Sequence, residues 1–285
     1  ARAIMNALSA PKNDWTLPEA QAIQLDHHSP VYESNARMLA EYAAQAGVDV
    51  GVLRGWDGSH LAEEVAPTAY YRWMYRTIQG AMFDEFEADA GAAQAQEKFE
   101  AWHKTIVSEN AFPKLLANAE SPWWDDVRTD AVETASDIVA RAWTVAREDL
   151  TRALGDNPEK WQYGRLHTVV HEHAMKDAPL VGDFLSVGPY ALPAAKDALN
   201  KYEFKLKEEV NYDVFSGPSM RIGIDFADVG NAESILPTGQ SGNVFSPHYD
   251  DQAAMYHAGQ FRKQRMDRDD VEAHVSAKAL LRPQN

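Results

Sequence analysis

The chain has 285 residues, 45% of them hydrophobic, and carries 27 Lys and Arg against 43 Asp and Glu, a formal net charge of −16. That balance argues against a nucleic-acid or anionic-membrane partner, since both need a basic face, unless a local basic patch supplies one. The one basic cluster, Arg262-Lys263-Gln264-Arg265, is short and followed by acids. With no cysteine there is no disulfide, thiolate metal site or cysteine nucleophile, and no window approaches the roughly 18 consecutive apolar residues of a membrane span.

Residues 1–9 place Ile4, Met5 and Leu8 on one helical face. The start, ARAIMNAL, lacks an initiator Met, so the expectation is a processed chain whose signal lies upstream. Thr16 and Glu19 form a capping box that predicts a helix from Leu17, carrying Ile23 and Leu25 inward until His28-Ser29-Pro30 stops it. Pro30 to Ala46 reads as the next helix, closed by Gly47, with Leu39 and Tyr42 on its apolar side. Leu53 to Gly58 (LRGWDG) is a turn with an aromatic anchor. Tyr70, Trp73, Met74 and Ile78, flanked by Tyr71 and Tyr75, make a wide aromatic stripe at helical spacing. Core packing is the first reading of the stripe, and a wall of an acyl pocket is the alternative.

Ala88 to Gln96 is Ala-rich and polar and is expected as a mobile loop or loose helix. Helical spacing resumes at Trp102, Ile106 and Val107. Ser121-Pro122 marks a start before Trp123-Trp124, and a helix of over six turns runs from Thr129 to Leu154, stopped by Gly155. Beyond Asn157-Pro158 the composition shifts toward Gly, Pro, Tyr and Val, with strand-like pieces near Phe184 to Val187 and Tyr212 to Phe215. The fold class is α+β: a helical portion over 1–175 and a strand-bearing portion over 176–285. Met220 to Phe226 (MRIGIDF) alternates apolar and polar residues, which predicts a strand burying Met220, Ile222, Ile224 and Phe226. A second short strand, Ser234 to Leu236, runs into Pro237 to Gly242. Ser246 as N-cap, Pro247 at the first helical position, and Asp250 and Asp251 in the first turn predict a helix there.

Three constellations invite a chemical reading. His167 and His171 are four apart, so on a helix they would share a face as zinc ligands. A zinc hydrolase would need a Glu after the first His, where Thr168 stands, and His173 cannot join that face; no metal site is expected. Gly239-Gln240-Ser241-Gly242 fails the G-x-S-x-G spacing of a nucleophile elbow at Asn243 and reads as a tight turn. His248 with Asp250 and Asp251 is read as a helix first turn before it is read as an acid–base set.

The pattern PSxRxxIDF, followed by ILPTGQSGNxxSPHYDDQ and Gly259, resembles the C-terminal end of the penicillin amidase family. LxxWDG at Leu53 to Gly58, the following EEVAPTAYYRWMYRTI, and WQYGRLHTVVHEH, whose histidines are not metal ligands in that family, are similar to it as well. These are N-terminal-nucleophile acylases with a four-layer αββα architecture, and the resemblance implies an incomplete domain that another chain completes. It implies hydrolysis of the amide of an N-acylated small molecule, such as a penicillin or an acyl-homoserine lactone, hence roles in antibiotic resistance or quorum quenching. It also implies autoproteolytic processing, a heteromer of chains from one precursor, and a periplasmic location. No cofactor is implied for this chain, and a structural calcium of the family would belong to another chain.

In such enzymes the first residue of the catalytic chain attacks the amide carbonyl while its own amine takes the proton. Residue 1 here is Ala1, so the nucleophilic Ser is expected on a separate, upstream polypeptide. Family members carry an arginine near the nucleophile, shortly before the helix that matches Thr16 to Asp26. By that resemblance Arg2 is the candidate to orient the amine network or stabilise negative charge, with a solvent-exposed Arg2 the alternative. The rival to the acylase is a catalytically inactive scaffold or binding protein of the same fold.

Overall fold

The structure, a computed structural model, describes residues 2–9, 11–179 and 182–282. In chain order the helices are α1 (Arg2–Leu8), α2 (Leu17–Gln24), α3 (Pro30–Gln45), α4 (Ala66–Ala90), α5 (Ala92–His103), α6 (Ile106–Leu116), α7 (Ala135–Leu154), α8 (Gly182–Leu185), α9 (Ala253–His257) and α10 (Arg268–Ala273). The strands are β1 (Thr168–His171), β2 (Val187–Ala191), β3 (Arg221–Gly223), β4 (Glu233–Ile235) and β5 (Arg262–Lys263). Two compact units divide the chain: a first unit of residues 1–25, 171–187 and 218–285, and a second of residues 26–170 and 188–217.

The second unit is built around α4. From Pro67 to Ile78 every residue of this helix is buried, because α5, α7 and neighbouring turns close over it from several sides. The aromatic stripe is therefore core: Tyr70, Trp73, Tyr75 and Ile78 are all inaccessible, with Trp73 donating Nε1–H to the Val139 carbonyl at 2.9 Å and meeting the Trp143 ring at 5.0 Å. Two arginines are enclosed with it. Arg72 and Arg76 both donate to Oδ2 of Asp149 on α7, at 2.7 and 2.6 Å through their Nε atoms.

Several expected elements are displaced, each for a local reason. The stretch Ala88 to Gln96 is helical throughout: α4 continues to Ala90, Gly91 turns at φ 74°, and α5 starts at once, burying Ala95 and Phe99. The helix expected from Thr129 begins at Ala135, where Thr134 and Asp137 form a capping box, the Asp137 carboxylate accepting the Thr134 N–H at 2.9 Å; Val132 before it is exposed. Phe184 lies in the short turn α8, and the strand begins only at Val187. Tyr212 to Phe215 is no strand. Asn211 folds back to accept the Asp213 N–H, while Tyr212 is buried and donates to the Thr68 carbonyl at 3.0 Å.

In the first unit, β3, β4 and β5 form an antiparallel sheet in that order, with Arg221 opposite Ile235 and Ser234 opposite Arg262. The basic cluster is neutralised locally: Lys263 and Arg265 reach Asp270 at 3.3 and 2.6 Å. The Ser246-Pro247 start does not become a helix. The Ser246 hydroxyl does accept the His248 N–H at 3.2 Å, but the His248 carbonyl is taken by the Ser241 N–H at 3.0 Å, so the segment stays in turns until α9 at Ala253. Gly239 is pinned beneath that return, where a Cβ would lie 2.1 Å from the His248 carbonyl oxygen.

Two measurements check this packing. Gly239→Ala drives a methyl into backbone, so equilibrium denaturation should show a loss of about 1–3 kcal/mol. The second concerns buried imidazoles. An unfolded histidine takes up its proton near pH 6.5, whereas burial holds His60 down to about 3 and His103 and His167 down to about 4. Between those values the unfolded chain binds more protons, so their contribution is complete above pH 6.5 and is lost as pH falls toward 4, at about 2 kcal/mol per histidine by pH 5. Glu85, whose carboxyl burial pushes up to about 7, titrates in the opposite sense and offsets part of the loss. His103 has no hydrogen bond at either ring nitrogen and stacks on Phe99 at 5.7 Å. Thermal unfolding of His103→Phe should therefore match or exceed the parent at pH 7 and fall less steeply on acidification.

Candidate functional site

Residues 217–252 carry the most distinctive sequence, and the structure inverts the face expected of their first strand. α2 lies across one side of the sheet. Gln21 Nε2 donates to Glu233 Oε2 at 2.7 Å, Gln24 Nε2 donates to the Ile222 carbonyl at 3.0 Å, and a Cβ on Gly223 would meet Leu17 Cδ1 at 2.4 Å. The covered side therefore holds Arg221, Gly223 and Ile235, with Arg221 only 5% exposed. Met220, Ile222, Ile224 and Phe226 are the exposed set instead, Phe226 to 89%. Burial of Arg221 is possible because its guanidinium lies 4.0 Å from the Tyr256 ring centroid and donates to the Tyr256 carbonyl at 2.9 Å. β3 is also an end strand of its sheet, so this unit presents an apolar strand face beside a sheet edge.

The turn after β4 is held by its own chain. Gln252 Oε1 accepts the Leu236 N–H at 3.1 Å, and the Ser241 hydroxyl accepts the Asn243 N–H at 3.1 Å, a turn role and not a nucleophile's. His248 pairs with Asp251 at 3.0 Å on this exposed turn.

The histidines do not converge as a helix would have brought them. His167 precedes β1, fully buried, with Nδ1 at 3.0 Å from the Leu192 carbonyl and its ring stacked on Tyr163 at 4.4 Å. His171 ends β1, and the strand separates the two. Its Nε2 lies instead 3.0 Å from Nε2 of His257 on α9. Burial lowers the proton affinity of both rings; for His257, burial, His171 and Arg221 bring it down to about 4. Among the described residues no group of three or more His, Cys, Asp or Glu is placed to hold a metal ion. Nothing in the sequence links His257 to His171, or marks Arg221 as the buried member of its strand.

Arg2 is the first residue of α1, and its side chain lies outside the described residues. The apolar residues of α1, Ile4, Met5 and Leu8, are exposed. In the second unit a groove of about 540 Å³ runs between α3 and the turn at Gly51–Leu53, with Ala36, Ala40, Leu53 and Trp56 along it and Arg37 and Arg54 at its sides. That is the size of a small-molecule site.

Comparison with known proteins bears on the family and the fold. The penicillin amidase family model matches residues 1–273. The acyl-homoserine lactone acylase QuiP of Pseudomonas aeruginosa is 27% identical over 238 residues, covering 76% of this chain and 27% of its own. QuiP of Pseudomonas fluorescens Pf0-1 is 33% identical over 138 residues, 47% of this chain and 15% of its own. Among solved structures, a thermostable penicillin G acylase from Alcaligenes faecalis superposes with a TM-score of 0.54 at 16% identity, over 99% of this chain and 52% of that one. The chain thus spans about a quarter of the length of the curated relative from P. aeruginosa. With an α+β fold like that of the acylase and a family match over nearly its whole length, the chain belongs to the penicillin amidase family.

Proposed function

We propose that this chain is the C-terminal part of the catalytic chain of an acylase, acting with polypeptide from the same precursor that carries the nucleophilic serine. The serine hydroxyl adds to the amide carbonyl and its own amine takes the proton; the leaving amine departs protonated, and water then releases the acyl group as a carboxylic acid. The family match over residues 1–273 in a chain spanning about a quarter of a named acylase carries this reading. The relatives' names make acyl-homoserine lactones the first substrate class to assay, with penicillins second. The enzyme is assigned to the periplasm, and Arg2 to the surroundings of the nucleophile, where a guanidinium would stabilise negative charge.

The exposed β3 face supports a shared sheet. Ile222 on the end strand β3, with Met220 and Ile224 flanking the strand, is exposed, and an apolar strand face at a sheet edge is normally covered in a finished fold. We assign that cover to the precursor's remaining polypeptide.

The direct test is to purify the full gene product, sequence every N-terminus that co-purifies, and assay the assembly against acyl-homoserine lactones of graded acyl length. A chain beginning with Ser, together with amide hydrolysis, is expected. A co-purifying chain without an N-terminal Ser, Thr or Cys, and no turnover of any acyl amide, would sink the acylase in favour of an inactive scaffold. Ile222→Lys and Ile224→Lys should leave the circular dichroism of the chain unchanged and weaken its retention by the rest of the protein at least tenfold, read by size exclusion of the processed assembly.

A further inference from the structure

The groove of the second unit is lined for an apolar chain. Ala36, Ala40 and Ala44 recur at every fourth residue of α3 and so share one face. Alanine ends at its Cβ, so where Val50, Leu53 and Trp56 pass opposite, the two walls stay apart and about 540 Å³ is left between them. The far wall is fixed in advance. Val50 and Leu53 are buried, and the Trp56 indole donates to the Ser59 carbonyl at 2.7 Å with its ring 5.2 Å from those of both Tyr70 and His60. A hollow that exists before its ligand arrives spares the ligand the cost of opening it.

The lining also carries both signs of charge. Arg54 and Asp49 pair with each other at 3.0 Å. Arg37 is exposed one helical turn beyond Glu33 on α3, and Asp57 lines the groove as well. A carboxylate head would bring no donor for Glu33 or Asp57, and an ammonium head would bring no acceptor for Arg37. An uncharged amide brings both, since its carbonyl accepts from a guanidinium and its N–H donates to a carboxylate. We infer that this groove binds an uncharged N-acyl amphiphile, with the aliphatic chain along the alanine face of α3 and the amide between Arg37 and Glu33. The identity of the amphiphile, an acyl-homoserine lactone, rests on the acylase reading; the preference for an apolar chain with an uncharged amide head rests on the groove alone. The same features select against the free fatty acid that amide hydrolysis would release, because its carboxylate meets Glu33 and Asp57 with like charge.

The test titrates the whole processed protein, by calorimetry, with N-octylsulfonyl-homoserine lactone, in which a sulfonamide replaces the scissile amide and keeps its donor and acceptors. Ala40→Phe fills the groove with an uncharged ring and should remove one bound equivalent. Arg37→Met should weaken that equivalent about tenfold, and octanoate and octylamine should each compete for it about tenfold less well than the probe. An unchanged number of equivalents in Ala40→Phe would overturn the site, and octanoate competing as well as the probe would overturn the uncharged head. Should Ala40→Phe fail to fold by circular dichroism, the exposed Arg37→Met decides: unchanged affinity for every equivalent refutes the groove. Turnover of acyl-homoserine lactones is read separately. An equivalent lost in Ala40→Phe from a protein that hydrolyses no acyl amide upholds the groove and sinks the acylase, whereas turnover with no equivalent lost sinks the groove alone.

Discussion

Two arginines inside a helix that is buried on every side set the terms for the second unit. A guanidinium cannot give up its proton, so Arg72 and Arg76 bring two permanent charges into the middle of a hydrophobic core. Asp149 answers both with one oxygen, and the rest of each fork is satisfied by the chain at 207–208: Arg72 donates to the Lys207 and Glu208 carbonyls at 2.8 and 2.9 Å, and Arg76 to the Glu208 carboxylate at 2.6 Å. Such a network adds little net stability over an apolar core, but losing one partner leaves a buried charge uncompensated. It therefore fixes register. α7 and the 207–208 segment can dock on α4 in one place only, and the aromatic core closes around that choice.

The helical half of this arrangement was legible because its signals are local. The Thr16–Glu19 capping box, Pro30 at a helix start, Gly155 at φ 97° and the apolar spacing of α3 and α7 each act within a turn or two of chain. Where distant chain intervenes, local reading falters. Ser246-Pro247 has the chemistry of a helix start, yet one carbonyl given to Ser241 is enough to keep that segment in turns. Ala88 to Gln96 looked too polar to pack, but Ala95 and Phe99 show that a sparse apolar face suffices when α4 offers a large one.

The strand face shows most plainly what a single sequence withholds. Period two places Ile222 and Ile224 on one side and Arg221 and Gly223 on the other, and it says nothing about which side another element will cover. α2 chose the glycine side, because only there can a helix approach closely, and Tyr256 made the arginine tolerable. The family was legible in residues 236–252 because that run is long and unusual, although each residue in it serves a turn. The pairing of His171 with His257 had no such signal, since nothing in the sequence relates positions so far apart.

On the assembly proposed above, the exposed β3 face also implies an order of events in biosynthesis. A short apolar edge invites the same edge of another copy, which is how open sheets begin to aggregate. If, as proposed, polypeptide from the same precursor covers that face, it has to reach it before a second copy does. The surest way is for both to emerge as one polypeptide, closing the sheet at the high local concentration a covalent link provides. If the precursor is cut, the cut belongs after folding, and the pieces would then be held together by the sheet that formed while they were still one chain.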